Sequence, residues 1–144
     1  MTSTRPNSLS SAGMTSQRAT SVDVRASNPV LSGAQIFNQA FQSITLGILL
    51  SDLHRNTLTI NPAFEAMSGY TQAEIQGRSC AILQGPGTSA ATVAEIREAL
   101  AAHETYQGEI LNYRKDGTPF WNALSIHPVF DDNGRLTRFI GFQQ

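Results

Sequence analysis

The 144 residues contain one cysteine, Cys80, in the stretch Gly77-Arg78-Ser79-Cys80-Ala81-Ile82-Leu83-Gln84-Gly85, between a helix signal and a loop. A lone thiol is either a small buried hydrophobe or, where its surroundings activate it, a nucleophile. The other side chains with chemistry to offer are three carboxamides, Asn112, Asn122 and Gln143, on three segments that read as strands. Strand side chains alternate between faces, so hairpin loop lengths decide whether the three meet. A three-residue loop Lys115-Asp116-Gly117, with Gly117 left-handed, pairs Arg114 with Thr118 and puts Asn112 on the face of Asn122. A four-residue loop from Asp131 to Gly134 sets Ile126 opposite Phe139, Leu124 opposite Gly141 and Asn122 opposite Gln143. Both choices gather the carboxamides on an otherwise apolar face. Burying them without partners costs about 1 to 3 kcal/mol each, so such a face suits a polar ligand better than dry packing. An Asn or Gln amide donates to one ligand atom and accepts from another. Gly141 withholds a side chain and leaves room for a ligand to approach the sheet closely, while Ile110, Leu124, Ile126 and Phe139 offer apolar contact.

The elements that must hold these residues can be read in order. Residues 1 to about 31 are rich in Ser, Thr, Asn and Pro, lack apolar periodicity and are expected to be a disordered tail. Ser32 is a plausible N-cap for a helix over 32–46, whose stripe of Ile36, Phe37, Ala40, Phe41 and Ile44 is amphipathic. The domain proper is expected over 47–144. Gly47–Ser51 and Thr57–Ile60 read as strands around a turn, Asn61-Pro62 opens a helix that Gly69 closes, and Thr71 to Glu74 is a capping box. After the cysteine, Gly85-Pro86-Gly87 makes a loop and Thr88 or Ser89 caps a helix to about Ala102. Strands at about Thr105–Arg114, Phe120–Phe130 and Leu136–Gln143 complete the chain. No internal repeat is visible.

Composition narrows the function classes. An apolar content of 40% suits a single domain with a real core. Ten basic against eleven acidic residues give a net charge of −1 with no basic stripe, which argues against nucleic-acid binding. The single cysteine fits a reducing, cytoplasmic setting. The longest apolar run, Ile44 to Leu50, is too short to span a bilayer.

Residues 77–84 resemble the GRNCRFLQ signature of light-oxygen-voltage (LOV) domains, the flavin-binding blue-light sensors of the PAS superfamily. The block Leu111-Asn112-Tyr113-Arg114-Lys115-Asp116-Gly117-Thr118-Pro119-Phe120-Trp121-Asn122 resembles the same domains almost letter for letter, and Phe139-Ile140-Gly141-Phe142-Gln143 is similar to their last strand. The resemblance implies an α+β PAS fold, a five-stranded antiparallel sheet with helices on one face and an N-terminal amphipathic cap helix. It implies a flavin whose pyrimidine edge meets Asn112 and Asn122, with Gln143 at ring nitrogen 5. Gln84 would meet the ribityl chain and Arg97 the phosphate, while Ser79, Leu83, Ile110, Leu124, Ile126, Phe139 and Gly141 complete the binding set. No metal is implied.

The resemblance further implies a light-driven reaction in which the sulfur of Cys80 bonds to ring carbon 4a as nitrogen 5 gains a proton. Gln143 would then turn from donor to acceptor, and thermal reversal would reset the sensor without turning over a substrate. Two departures bear on the cofactor. Ser79 stands for the usual Asn, and Ala81 for an Arg that supplies one of two phosphate-binding cations. FMN is therefore expected, with riboflavin or FAD as rivals. Ile82 for the usual Phe is a tolerable exchange of one apolar side chain for another. A homodimer through the N-terminal helix or the outer sheet face is implied, in a short LOV protein or a piece of a larger receptor whose downstream partner is unknown.

Two other readings stand beside it. One is a PAS sensor of redox state or a small ligand, with Cys80 only structural. The other is a flavoenzyme, although no His-carboxylate pair or dinucleotide fingerprint is present. Haem is disfavoured because His54, His103 and His127 all read as facing outward. Trp121 should cover the outer sheet face, and Glu74 and Lys115 should form a surface ion pair.

Overall fold

The structure, a computed structural model, describes residues 30–144. The expected tail over 1–31 lies almost wholly outside them. The chain divides into two units, Met1–Ile36 and Phe37–Gln144, and the second holds the sheet. Helix α1 (Gly33–Ser43) carries an exposed N-terminal capping box, in which Ser32 Oγ accepts from the Gln35 N–H and Gln35 Oε1 accepts from the Ser32 N–H. Phe41 is its buried residue.

Five strands, β1 (Gly47–Ser51), β2 (Thr57–Ile60), β3 (Tyr106–Tyr113), β4 (Pro119–Phe130) and β5 (Leu136–Gln143), form an antiparallel sheet in the order β2-β1-β5-β4-β3. The last strand is thus the central one. Helices α2 (Pro62–Ser68), α3 (Gln72–Ile75) and α4 (Ala90–Ala101) lie against β1, β2 and β3 respectively, with a 3-10 turn at Cys80–Leu83 between α3 and α4.

Local chemistry accounts for the helix ends. Asn61 is fully buried, and its Oδ1 accepts from the N–H groups of Phe64 (3.0 Å) and Ile48 (2.8 Å) while its Nδ2 donates to the Leu46 carbonyl (2.9 Å). One side chain therefore caps α2 and ties it to β1. Gly69 closes α2 at φ 81°, where any other residue would be strained. Thr71 and Glu74 form the expected capping box on α3, and Ser89 caps α4.

Three hairpins share one turn design. In each, the residue before a three-residue loop pairs with the residue after it, and the third loop residue is left-handed. The loops are Leu53-His54-Arg55, Lys115-Asp116-Gly117 and Asp132-Asn133-Gly134, with φ of 65°, 87° and 79° at their last positions. The closing bonds are Asp52 N–H to Asn56 O (2.9 Å), Arg114 N–H to Thr118 O (2.9 Å) and Asp131 N–H to Arg135 O (2.8 Å).

The third turn corrects one expectation. The loop between β4 and β5 has three residues rather than four, because the Asp131 carboxylate accepts from the N–H groups of Asn133 and Arg135 and closes the turn early. A bulge beside Val129 and Phe130 then shifts the register further. Ile126 consequently lies opposite Gly141 and Leu124 opposite Gln143, not Phe139 and Gly141, and Gln143 therefore does not lie opposite Asn122 as expected. The slip totals two residues, so every side chain keeps its face.

The core is in two clusters. Leu49, Ile60, Phe64, Ile75 and Leu83 form one, and Ile96, Leu100, Tyr106, Ile110 and Phe139 form the other.

Candidate functional site

Between the two clusters lies a cavity of about 200 Å³. The sheet supplies its floor. Asn112 on β3, Asn122 on β4 and Gln143 on β5 are buried side by side. Asn122 Nδ2 donates to Asn112 Oδ1 (2.8 Å) and to Gln143 Oε1 (3.0 Å). Asn122 Oδ1 is fully buried and has no hydrogen-bond partner. An orphaned buried carbonyl is costly unless something outside the protein donates to it. Leu124, Ile126, Ile110 and Phe139 surround this row with apolar surface, and Gly141 lies beside them. A Cβ built on Gly141 would meet only Leu49 O at 3.8 Å and Gln143 Nε2 at 3.9 Å, ordinary contact distances, so this position is not crowded.

Cys80 lines the same cavity, with Leu83 from its 3-10 turn and Ser79, which caps that turn. The turn is held by backbone bonds from Cys80 N–H to the Arg55 carbonyl (3.0 Å) and from Thr57 N–H to the Arg78 carbonyl (2.8 Å). Ser79 Oγ accepts from the Ala81 N–H, so this hydroxyl serves the turn. The sulfur of Cys80 packs beside the first core cluster, 3.9 Å from the Thr57 hydroxyl. Burial pushes its pKa up, against smaller opposing effects of the Thr57 contact and the Arg55 charge. The thiol is therefore protonated at neutral pH and inert until something else reacts.

Gln84 and Arg97 line the exposed rim of this cavity and also an adjoining hollow with Gly85 and Thr88. The Gly85 loop is held where a larger residue could not fit, since a Cβ on Gly85 would stand 2.3 Å from the Tyr113 ring.

All thirteen residues singled out from the sequence line this one cavity. Sequence reasoning missed Leu49, Ser51, Arg55, Val93, Ile96 and Leu100, which complete the lining together with Ala81, the position singled out for its missing cation. Val93, Ile96 and Leu100 carried a signal in their helical spacing, but that stripe does not say what it faces. His54 and His103 are exposed, and His127 pairs its Nε2 with Ser125 Oγ at 2.6 Å, away from the cavity lining. Among the described residues no group of three or more His, Cys, Asp and Glu is placed to hold a metal, and no helix is long and apolar enough to cross a membrane.

The arrangement fits a flavin. The orphaned Asn122 carbonyl calls for a donor such as a ring imide, Gly141 adds no side chain to the cavity, and Cys80 lines the same cavity as the carboxamides.

Comparisons with known proteins agree with the fold. The PAS domain family matches residues 45–144. The chain is 43% identical to Phototropin-2 of Oryza sativa subsp. japonica over 113 residues, covering 76% of this chain and 12% of that protein. It is 39% identical to Blue-light-activated histidine kinase 1 of Erythrobacter litoralis over 112 residues, 76% of this chain and 31% of that one. A solved structure described as "Flavin Analogue Sheds Light on Light-Oxygen-Voltage Domain Mechanism" superposes with a TM-score of 0.70 at 32% identity, covering 76% of this chain and 83% of that one. The matched stretch spans less than a third of either full-length relative.

Proposed function

Because the chain belongs to the PAS family, in its light-oxygen-voltage branch, we propose that it is a blue-light receptor module that holds FMN in the cavity between β3–β5 and Cys80. The observation that carries this reading is that a half-buried thiol, Cys80, lines one cavity with a carboxamide row whose central carbonyl has no protein partner. Bound there, the flavin would absorb blue light and offer a ring carbon to sulfur.

The protein's own residues do the rest. Asn112 and Asn122 fix the pyrimidine edge, and the apolar walls exclude water from the sulfur. Cys80 would supply the proton and the sulfur nucleophile for that light-driven chemistry and would recover its proton in the dark. Gln143 would meet the change in protonation by turning its amide from donor to acceptor. Since Asn122 Nδ2 already donates to Gln143 Oε1, that turn also breaks an Asn122 bond. β5 is the central strand, so the rearrangement reaches β1 and β4 together.

Signal output is assigned to a homodimer in the cytoplasm, for which the exposed Ile36, Phe37 and Ile44 of the N-terminal segment offer apolar surface. No substrate is turned over. A PAS sensor of redox state or a small ligand, with Cys80 purely structural, is the second reading, favoured by the packing of Cys80 against the first core cluster.

Illumination distinguishes them. The purified protein should be yellow, lose its blue absorption band in blue light and recover it in the dark. Cys80→Ala should keep the band and lose the bleaching. Bleaching that survives this substitution overturns the photoreceptor reading in favour of a redox sensor.

A further inference from the structure

The three hairpins described above place a left-handed residue at the end of each loop. Two of them use glycine, and the third uses Arg55 at φ 65°. A side chain in that region costs stability that glycine would not. The turn enforces the conformation: Asp52 Oδ1 accepts from the N–H groups of His54 and Asn56, each at 2.9 Å, and the Arg55 N–H closes on the Asp52 carbonyl at 3.1 Å. It also delivers Arg55 to the site. The Arg55 carbonyl accepts from the Cys80 N–H, and Asn56 bridges to Ser79, so the arginine is carried beside the segment that holds the sulfur.

Arg55 and Arg97 line the same cavity from different elements, with Ser79, Ala81 and Gln84 on its lining as well. Arg55 is half-buried, and among the described residues neither guanidinium hydrogen-bonds to a carboxylate. Two cations lining one pocket suit a ligand that carries negative charge. Ala81, at the position where the signature that this stretch resembles has an arginine, supplies no such charge.

We propose that Arg55 is a specificity-determining residue that binds the terminal phosphate monoester of the flavin side chain together with Arg97, and so replaces the cation missing at position 81. The proposal rests on the flavin reading above. It accounts for an arginine held where the two sister turns have glycine, and it assigns FMN over riboflavin and FAD.

The test is titration of the ligand-free full chain with FMN, riboflavin and FAD, read by quenching of flavin fluorescence, for the wild type, Arg55→Gly and Arg55→Gly/Ala81→Arg. Glycine suits the left-handed position, so Arg55→Gly should melt at or above the wild-type temperature, and lost binding cannot be ascribed to lost folding. Removing one charge-assisted contact should weaken FMN about 10- to 150-fold. Riboflavin, which has the ring but no phosphate, should change less than about threefold, within the scatter of a site that lost no direct contact. Ala81→Arg should restore most of the FMN affinity.

Equal losses for FMN and riboflavin, or no loss for either, overturn the role of Arg55 while leaving the flavin site intact. FAD binding tighter than FMN in the wild type overturns the monoester assignment. A wild-type chain that takes none of the three overturns the flavin reading itself.

Discussion

Asn122 gives both amide protons to its neighbours Asn112 and Gln143, which leaves its own carbonyl as the buried acceptor without a donor. A second residue-scale feature concerns stability instead of binding. The Lys115 ammonium beside Glu74, helped by the Thr71 N–H and hydroxyl, holds the Glu74 carboxyl down from 4.5 to about 2. A carboxyl with a depressed folded pKa adds stability that is present above its unfolded pKa and disappears as pH falls through the folded one. In Lys115→Met the carboxyl should titrate nearer its ordinary value; the accompanying loss of stability should be small because the pair is exposed, be present at pH 7 and vanish as pH falls towards 2, as denaturant unfolding repeated across that pH range would show. The carboxamide row was legible in the sequence as strand parity, and the ion pair from its place in the family pattern. Arg55 was not, because a turn residue belongs to no periodic stripe. Its only signal is a bulky residue where the turn chemistry favours glycine, and that becomes visible once the loop length is known.

At the scale of elements, the β1–α2 joint depends on Asn61, whose two functional atoms serve three backbone groups from Leu46, Ile48 and Phe64. Asn61→Ala should cost at least about 1 to 3 kcal/mol, since the Leu46 carbonyl and two N–H groups lose their partner in a buried place. Denaturant unfolding of the ligand-free protein measures it, and a loss under about 0.5 kcal/mol would mean that water replaces the side chain. The cap itself was readable from Asn61-Pro62, but its bond across to β1 was not, because the partner is thirteen residues distant in sequence and adjacent only after folding. The β4–β5 register shows a different boundary of legibility. Turn residues announced a hairpin, yet the three-residue closure depends on Asp131 side-chain bonds, and nothing in the turn signals marks the bulge between Val129 and Phe130. The face assignments survived because the two deviations sum to an even number.

For the whole molecule, the decisive feature is that the apolar core falls into two clusters with the cavity between them. Leu49 and Leu83 from one cluster and Ile96, Leu100, Ile110 and Phe139 from the other all line it. A ligand in that seam completes a single interior, and binding to the folded state alone raises stability by about 2.7 kcal/mol at a free concentration one hundred times Kd. For a domain of this size that corresponds to roughly 10 °C in Tm. Addition of FMN to ligand-free protein, followed by differential scanning fluorimetry, should show a rise of this order that scales with the logarithm of ligand concentration. An unchanged Tm at saturating FMN would count against the seam as its seat. The divided interior also ties the pigment to the lifetime of the polypeptide. Chains made faster than the supply of vitamin-derived cofactor would open more often and be degraded first, so a cell starved of riboflavin would hold fewer copies of the protein as well as fewer coloured ones.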